Sequence, residues 1–165
     1  MDKRRHPRLK NYDYSEYGSY FVTVCVQNRQ PMLSTVVGRD ALIPPMVQLT
    51  PYGRVLDKYI QKINSVYTDV CVDKYIIMPN HFHLLISITQ PVDQQNGGMR
   101  ESRPTVQTII RSLKTMVTRE TGKSIFQSSF HDHIIRDERD YLVRWQYIDD
   151  NPAKWAEDEY YSPCN

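Results

Sequence analysis

The chain has 165 residues, 40% of them hydrophobic and 24% charged, and its formal net charge is +2 at pH 7. These values are ordinary for one soluble globular domain that is large enough to bury its own core. No run approaches the roughly 18 apolar residues of a membrane-spanning helix, so we predict a cytoplasmic protein that does not enter a membrane.

The three cysteines argue against a disulfide framework. Cys25, Cys71 and Cys164 are an odd number at scattered spacings, and no Cys-x-x-Cys pair is present. Cys25 and Cys71 lie in apolar runs that are typical of strands, where a buried free thiol is the expected state. We therefore predict a reducing compartment and no cysteine-based zinc site.

The chain divides into a short arm and one domain. Residues 1–18 are polar, basic near the start and rich in tyrosine, so we predict an arm that lies on a single domain of residues 19–165. Residues 20–27 are dense in β-branched and aromatic side chains, which indicates the first strand. Residues 28–48, which include Pro44-Pro45, show no regular pattern.

The remaining segments alternate between helical and strand patterns. Thr50-Pro51 is a helix-start pair, and residues 90–103 are a polar loop. Asp137 begins the last helix, which ends at Asn151-Pro152. The periodicities predict a helix over 51–64, an antiparallel hairpin of two strands over 70–77 and 81–88, and an amphipathic helix over 105–120. An extended segment over 125–135 and the last helix over 137–151 follow. This order predicts an α+β, ferredoxin-like sandwich, with helices packed on a mostly antiparallel sheet.

Two histidines begin the strand over residues 81–88. Side chains alternate faces along a strand, so His81 and His83 project on the same side and Phe82 on the other. Two neighbouring imidazoles on a rigid strand provide half of a metal site that needs a third ligand. The alternative is a pair of half-buried strand histidines without a metal.

The last helix carries a polar stripe that could complete the site. Asp140, Arg144, Tyr147 and Asn151 recur at spacings of three or four residues, so Tyr147 and Asn151 project from one face a turn apart. If this face meets the histidine strand, Asn151 offers an amide oxygen to the metal and Tyr147 lies over it. A tyrosine nucleophile suits phosphoryl transfer when a metal polarises the phosphate. The alternative is a boundary tyrosine and a C-terminal helix cap.

Several segments together resemble one family, the REP-associated tyrosine transposases of the HUH single-tyrosine transposase superfamily. The segments are Met78-Pro79-Asn80-His81-Phe82-His83-Leu84-Leu85, Phe126-Gln127-Ser128-Ser129-Phe130-His131-Asp132-His133-Ile134-Ile135-Arg136, Asp140-Tyr141, Tyr147-Ile148 and Asn151-Pro152-Ala153-Lys154-Trp155. With Arg8-Leu9-Lys10-Asn11-Tyr12-Asp13-Tyr14 and Tyr20-Phe21-Val22-Thr23, the resemblance spans nearly the whole chain. One departure is Ser128, where relatives often carry an arginine.

The resemblance implies a chemistry and a set of site residues. His81, His83 and Asn151 match the ligands of Mg²⁺ or Mn²⁺, and Tyr147 matches the nucleophile. The implied activity is that of a transposase or endonuclease, which cleaves and rejoins single-stranded DNA at hairpin, REP-like sequences through a 5′-phosphotyrosine intermediate. Relatives include both monomers and homodimers, so either state is compatible with the sequence.

Basic residues gather in two places that suit contacts to DNA phosphates. They are Lys3, Arg4, Arg5, Arg8 and Lys10 in the arm, and Arg111, Lys114 and Arg119 on one face of the helix over 105–120. Basic arms and basic helix faces favour phosphate contacts, which gives single-stranded DNA with a hairpin as the expected partner. A solvated face or a disordered tail accounts for the same residues nearly as well.

Two other functions remain open from the sequence. His131 and His133 also alternate on an extended segment, and with His81 and His83 they could form a four-histidine zinc site of a metal hydrolase. That function gives Tyr147 and Asn151 no role; otherwise this second pair packs beneath the site or contacts DNA. The third possibility is a protein that binds a DNA hairpin and no longer cuts it.

Overall fold

A computed structural model describes residues 17–38, 42–89 and 104–161, so the basic residues of the arm and the whole loop over 90–103 lie outside the described residues. The strands are β1 (Gly18–Cys25), β2 (Ser34–Val37), β3 (Met46–Leu49), β4 (Val70–Ile77), β5 (His81–Ile88) and β6 (His131–Ile135). The helices are α1 (Pro51–Val66), α2 (Val106–Thr121) and α3 (Glu138–Asp150). None of the described helices is both long and apolar enough to cross a membrane.

The main sheet has four strands in the order β4-β5-β1-β6, and every neighbouring pair is antiparallel. The chain runs through it as β1, α1, β4, β5, α2 and β6, which is the ferredoxin-like split arrangement. The predicted α+β sandwich is therefore confirmed. Strands β2 and β3 form a separate two-stranded ribbon.

The two faces of the sheet pack against different helices, because side chains alternate between the faces along each strand. One face packs against α1 and α2 and forms the main core, with residues such as Val22, Leu84 and Ile110 fully buried. The other face forms a smaller cluster of Phe21, Leu85 and Ile148, the last of which comes from α3. Helix α3 therefore covers the face on which His81 and His83 project.

Each helix begins at a residue that can cap it. The side chains of Thr50, Thr105 and Asp137 accept hydrogen bonds from the backbone N–H groups three residues later, at 3.1, 3.1 and 2.8 Å. These caps satisfy backbone donors that have no partner inside the helix. All three helix starts agree with the sequence to within one or two residues.

Three segments differ from the sequence prediction, each for a local reason. The first strand ends at Cys25 rather than at residue 27, because a short 3₁₀ turn follows in which Asn28 and Arg29 have φ of 54° and 52°. The irregular connection contains the β2–β3 ribbon. Only residues 131–135 of the extended segment form a strand. The backbone carbonyls of residues 127–129 accept hydrogen bonds from the Lys114 side chain instead of from a neighbouring strand.

Gly53 lets α1 approach the chain that precedes β2. A Cβ atom at this position would lie 2.0 Å from the backbone oxygen of Leu33, so the backbone would have to move. We expect Gly53→Ala to lower the free energy of unfolding by about 3 kcal/mol, the upper end of typical overpacking costs, as measured by urea denaturation. Gly122→Ala is the control, because its φ of 71° is strained for alanine but no atom lies within 4 Å, and we expect a loss of about 1 kcal/mol.

Candidate active site

The two histidines at the start of β5 lie side by side beneath the surface. Both side chains are almost fully buried, and their Nε2 atoms are 3.0 Å apart. The strand register fixes them, because His81 is opposite Cys25 of β1 and His83 is opposite Thr23. The pair therefore sits on β5, a central strand that is hydrogen-bonded to β4 on one side and to β1 on the other.

Neighbouring side chains hold both rings by their other nitrogen. The Asn80 side-chain oxygen lies 2.9 Å from Nδ1 of His81, and the Thr23 hydroxyl lies 2.8 Å from Nδ1 of His83. An amide oxygen can only accept, so Nδ1 of His81 carries the proton and its Nε2 presents a lone pair. Outer hydrogen bonds of this kind orient histidines that bind metal ions.

Both imidazoles are neutral. Burial, followed by the nearby charge of Arg29, lowers the pKa of His81 to about 3. Burial also holds the pKa of His83 well below its ordinary value. Two neutral rings that point Nε2 atoms at each other need a proton or a cation between them, so the pair is suited to share a metal ion.

The geometry fits a metal ion. Two nitrogens that are each about 2.1 Å from one ion lie about 3 Å apart when the angle between them is near 90°. The Oδ2 atom of Asp158 lies 4.0 Å from Nε2 of His81, and the three ligand atoms of His81, His83 and Asp158 are all within 4.8 Å of one another. These residues could therefore hold a metal.

Asp158 was not predicted as a site residue. The sequence places it in an acidic run at the C-terminal end, and no periodicity connects that run to the histidine strand. The connection is made by packing, because the ring of Trp155 lies 5.8 Å from the ring of His81 and that of Tyr160 lies 4.6 Å from it. The Asp158 carboxylate is brought beside the pair by these two aromatic contacts.

Tyr147 of α3 and Asn151, the C-cap residue of that helix, come to the same place. The ring of Tyr147 lies 5.3 Å from the ring of His83, and the three side chains of Tyr147, Asn151 and Asp158 line one cavity of about 280 Å³. The Asn151 side chain is 2% exposed, and its Oδ1 atom has no hydrogen-bond partner among the described residues. Leaving a buried amide oxygen unpaired costs about 1–3 kcal/mol, and a cation would satisfy it.

The phenol of Tyr147 is protonated at neutral pH. Burial raises the pKa of Tyr147 above its ordinary value and the charge of Asp158 adds to this, whereas the hydrogen bond from Asn151 and the charge of Arg144 act in the opposite direction. Positive charge near a phenol stabilises the phenolate and makes the oxygen more nucleophilic. A cation in this site would therefore lower the pKa of Tyr147.

The predicted DNA-contact residues of α2 lie on the other side of the sheet. Arg111, Lys114 and Arg119 line a groove of about 550 Å³ between α2 and the segment that precedes β6. The Lys114 ammonium donates to the backbone oxygens of Gln127, Ser128 and Ser129, at 2.8, 3.3 and 3.3 Å. Its charge is already engaged, so Arg111 and Arg119 are the exposed cations of this groove.

The second histidine pair does not join the first. His131 is opposite Thr23 and His133 is opposite Phe21, so both project on the same face as His81 and His83. Within residues 17–38, 42–89 and 104–161, however, the only potential metal cluster is that of His81, His83 and Asp158, and His133 instead contacts Asp140. The described residues therefore do not form the four-histidine site that a metal hydrolase would use.

Comparison with known proteins identifies the family. A Haemophilus influenzae protein, named only as uncharacterized, is 31% identical over 96% of this chain and 93% of its own length. A second H. influenzae protein, provisionally named a REP-associated tyrosine transposase, is 26% identical over 88% of this chain and 77% of its own length. The REP-associated tyrosine transposase of Escherichia coli is 24% identical over 86% of this chain and 70% of its own length. This chain belongs to the REP-associated tyrosine transposase family.

A solved structure supports the fold of the family. A REP-associated tyrosine transposase bound to a REP hairpin superimposes with a TM-score of 0.60 and 24% identity, covering 88% of this chain and 74% of that chain. No family model matches the sequence. The resemblance seen in the sequence motifs is confirmed by these relatives.

Proposed function

We propose that this chain is a metal-dependent transposase or endonuclease that cleaves and rejoins single-stranded DNA at hairpin, REP-like sequences. The observation that carries the proposal is the position of Tyr147, whose ring lies 5.3 Å from the ring of His83. Nε2 of His83 in turn lies 3.0 Å from Nε2 of His81. A tyrosine beside a potential metal site, in a chain of a transposase family, suits phosphoryl transfer rather than hydrolysis by water.

The cleavage step needs no co-reactant, because one bond to phosphorus forms as another breaks. The phenol oxygen of Tyr147 forms a bond to the scissile phosphorus and loses its proton, while the bond from phosphorus to the 3′ oxygen breaks and that oxygen gains a proton. The products are a 5′-phosphotyrosine and a free 3′-hydroxyl. Attack by a 3′-hydroxyl on the phosphotyrosine reverses the step and rejoins DNA, since the ester conserves the bond energy.

Each residue of the site has a role in this proposal. His81 and His83 would hold Mg²⁺ or Mn²⁺ through Nε2, and Asn151 would contribute the oxygen that otherwise stays buried and unpaired. Asp158 is a second oxygen donor beside the pair. The bound ion would withdraw charge from the phosphate oxygens. Asn80 and Thr23 keep the imidazoles oriented.

The proposed partner is single-stranded DNA with a hairpin. A relative of the same fold has been solved with a REP hairpin bound. We assign phosphate contacts to Arg111 and Arg119 of the α2 groove, and to Lys3, Arg4, Arg5, Arg8 and Lys10 of the arm. Because Tyr147 and His83 of one chain are in contact, we propose that a single chain holds a complete site, in a monomer or in each half of a dimer.

A hairpin-binding protein that no longer cuts is the second candidate. It is favoured by the burial of the histidine pair, since His81 is 0% and His83 1% exposed beneath the segment that carries Trp155 and Tyr160. Such a protein would bind the same DNA with similar affinity. The two candidates differ only in whether a covalent product forms.

An end-labelled substrate distinguishes the two functions. We expect a pool of single-stranded oligonucleotides, each with a REP-type hairpin and randomised flanks, to give a covalent adduct with the protein in Mn²⁺ or Mg²⁺ on a denaturing gel. The label should travel with the protein when it is at the 3′ end, and a shorter free strand should appear when it is at the 5′ end. Binding without any adduct would favour the hairpin-binding protein that no longer cuts. Cleavage in excess chelator would contradict the metal assignment.

A further inference from the structure

The geometry points to Arg144 as a catalytic residue that binds the phosphate attacked by Tyr147, with His133 and Asp140 as the residues that position it. The inference rests on the proposed function and deepens it. It also gives a role to the second histidine motif, which the metal site leaves unused. The carrying observation is a chain of three polar side chains that ends beside the nucleophile.

The chain begins at the edge strand of the sheet. Nε2 of His133, on β6, lies 2.7 Å from Oδ2 of Asp140, in the first turn of α3. The other carboxylate oxygen of Asp140 accepts from Nε of Arg144 at 3.4 Å. The backbone N–H of Arg136 adds a contact of 3.4 Å to Oδ2, so Asp140 is held on both sides.

The far end of the chain lies over the aromatic floor of the site. The guanidinium carbon of Arg144 is 5.3 Å from the centre of the Phe21 ring. The same ring stacks on His83 at 5.0 Å and meets the edge of Tyr147 at 5.8 Å. Phe21 therefore contacts the Arg144 guanidinium, the His83 imidazole and the Tyr147 ring.

Helix geometry places Arg144 and Tyr147 on one face. Residues three apart on a helix have Cβ atoms about 5–6 Å apart, so the guanidinium and the phenol extend in parallel from α3.

The free end of the guanidinium is suited to a phosphate. Asp140 takes the Nε side, and the terminal Nη groups of Arg144 donate to no acceptor within the described part of the chain. A guanidinium presents two parallel N–H groups that match two phosphate oxygens. The Arg144 side chain is 32% exposed, so a phosphate can reach it.

The chemistry of the proposed step needs such a group. Negative charge develops on the non-bridging oxygens of the phosphate as the phenol attacks, and a preorganised cation lowers the energy of that transition state. Along α3, Arg144 lies one helical turn before Tyr147, and Asn151 lies one turn after it. Together with the metal site, Arg144 would bind a phosphate beside the phenol oxygen.

The test compares variants in single-turnover adduct formation with Mn²⁺ and saturating hairpin DNA. We expect Arg144→Ala to slow adduct formation by about 10²-fold, and Asp140→Asn and His133→Gln by about 10-fold each. Arg144→Lys keeps the charge but not the two-pronged contact, so its rate should fall between wild type and Arg144→Ala. Arg139→Ala, an exposed arginine of the same helix, should react as wild type does.

Two further readouts separate phosphate binding from a structural role. Millimolar methylguanidinium should restore part of the rate of Arg144→Ala and none of the rate of Tyr147→Phe. Loss of a phosphate contact should also reduce the slope of log affinity against log salt by about 0.7 for single-stranded DNA, which Arg139→Ala and Asp140→Asn should leave near the wild-type value.

The outcomes separate this inference from the proposed function. If wild type forms an adduct and Arg144→Ala forms it at the same rate, Arg144 is not catalytic while the proposed function stands. A slow Arg144→Ala variant that methylguanidinium does not rescue, with an unchanged salt slope, would also overturn the inference. If wild type forms no adduct under any condition, the proposed function fails and this inference fails with it.

Discussion

Replacing Tyr147 with phenylalanine is expected to abolish the covalent adduct, with a loss of at least about 10⁴-fold in its rate of formation. The substitution removes only the phenol oxygen that would bond to phosphorus. The ring can keep its contacts with Phe21 and His83, so the site should retain its shape. The adduct is measured on a denaturing gel, and hairpin affinity is measured in parallel by fluorescence anisotropy.

Hairpin affinity should stay within about two-fold of wild type, because one hydroxyl contributes little to a contact dominated by phosphate charges. Tyr141→Phe is the matched control on the same helix, where the Tyr141 ring packs 6.0 Å from Trp145. Tyr160→Phe is a second control, since that ring also lies near the histidines. An adduct that persists in Tyr147→Phe and disappears in either control would move the nucleophile to that tyrosine.

Removal of one imidazole is expected to have the second largest effect. We expect His81→Ala and His83→Ala each to weaken Mn²⁺ binding by at least about 10²-fold, because residues that merely orient a ligand already contribute about 10–100-fold. Adduct formation should fall in proportion and recover in part at high Mn²⁺. Isothermal titration calorimetry measures the affinity, and the gel assay measures the reaction.

Two control variants should lose less Mn²⁺ affinity than these histidine variants. Thr23→Val should cost less than either histidine variant, since it removes only the hydroxyl beside Nδ1 of His83. His131→Ala should leave Mn²⁺ affinity unchanged, because His131 is outside the described metal cluster. Undiminished Mn²⁺ affinity in both His81→Ala and His83→Ala would contradict the assignment of the metal site.

The same titration separates the two oxygen donors. Asn151 has a buried oxygen without a partner among the described residues, whereas the Asp158 carboxylate is the third member of the potential metal cluster. We assign the ligand role to Asn151, so Asn151→Ala should weaken Mn²⁺ binding more than Asp158→Asn does. The reverse order would transfer the role to Asp158.

Much of the fold follows from local patterns in the sequence. The alternation around Phe82 predicts that His81 and His83 share a face, and the Thr50-Pro51 pair predicts where α1 begins, as the structure shows. Asp137 caps α3 and so fixes where the helix begins, and the spacing of four residues puts Tyr147 and Asn151 on one face. These features depend on neighbours within a few residues, so the sequence contains them.

The features that the sequence did not predict depend on long-range packing. Asp158 reaches His81 through the contacts of Trp155 and Tyr160, which no spacing rule connects to β5. Lys114 has the charge of a DNA-contact residue, yet its ammonium is used by three backbone oxygens that lie 13 to 15 residues away along the chain. His133 pairs with Asp140 only seven residues later, but across the turn between β6 and α3, which the periodicity within either element does not show.

Mapping the covalent adduct by mass spectrometry tests the central claim most directly. Trypsin places the two α3 tyrosines on different peptides, because cleavage after Arg144 and Lys154 leaves Tyr147 as the single tyrosine of residues 145–154. We predict that nuclease-trimmed adduct carries a nucleotide 5′-phosphate on that peptide. A nucleotide found only on the peptide with Tyr141, or only on the C-terminal peptide with Tyr160, would contradict Tyr147 as the nucleophile.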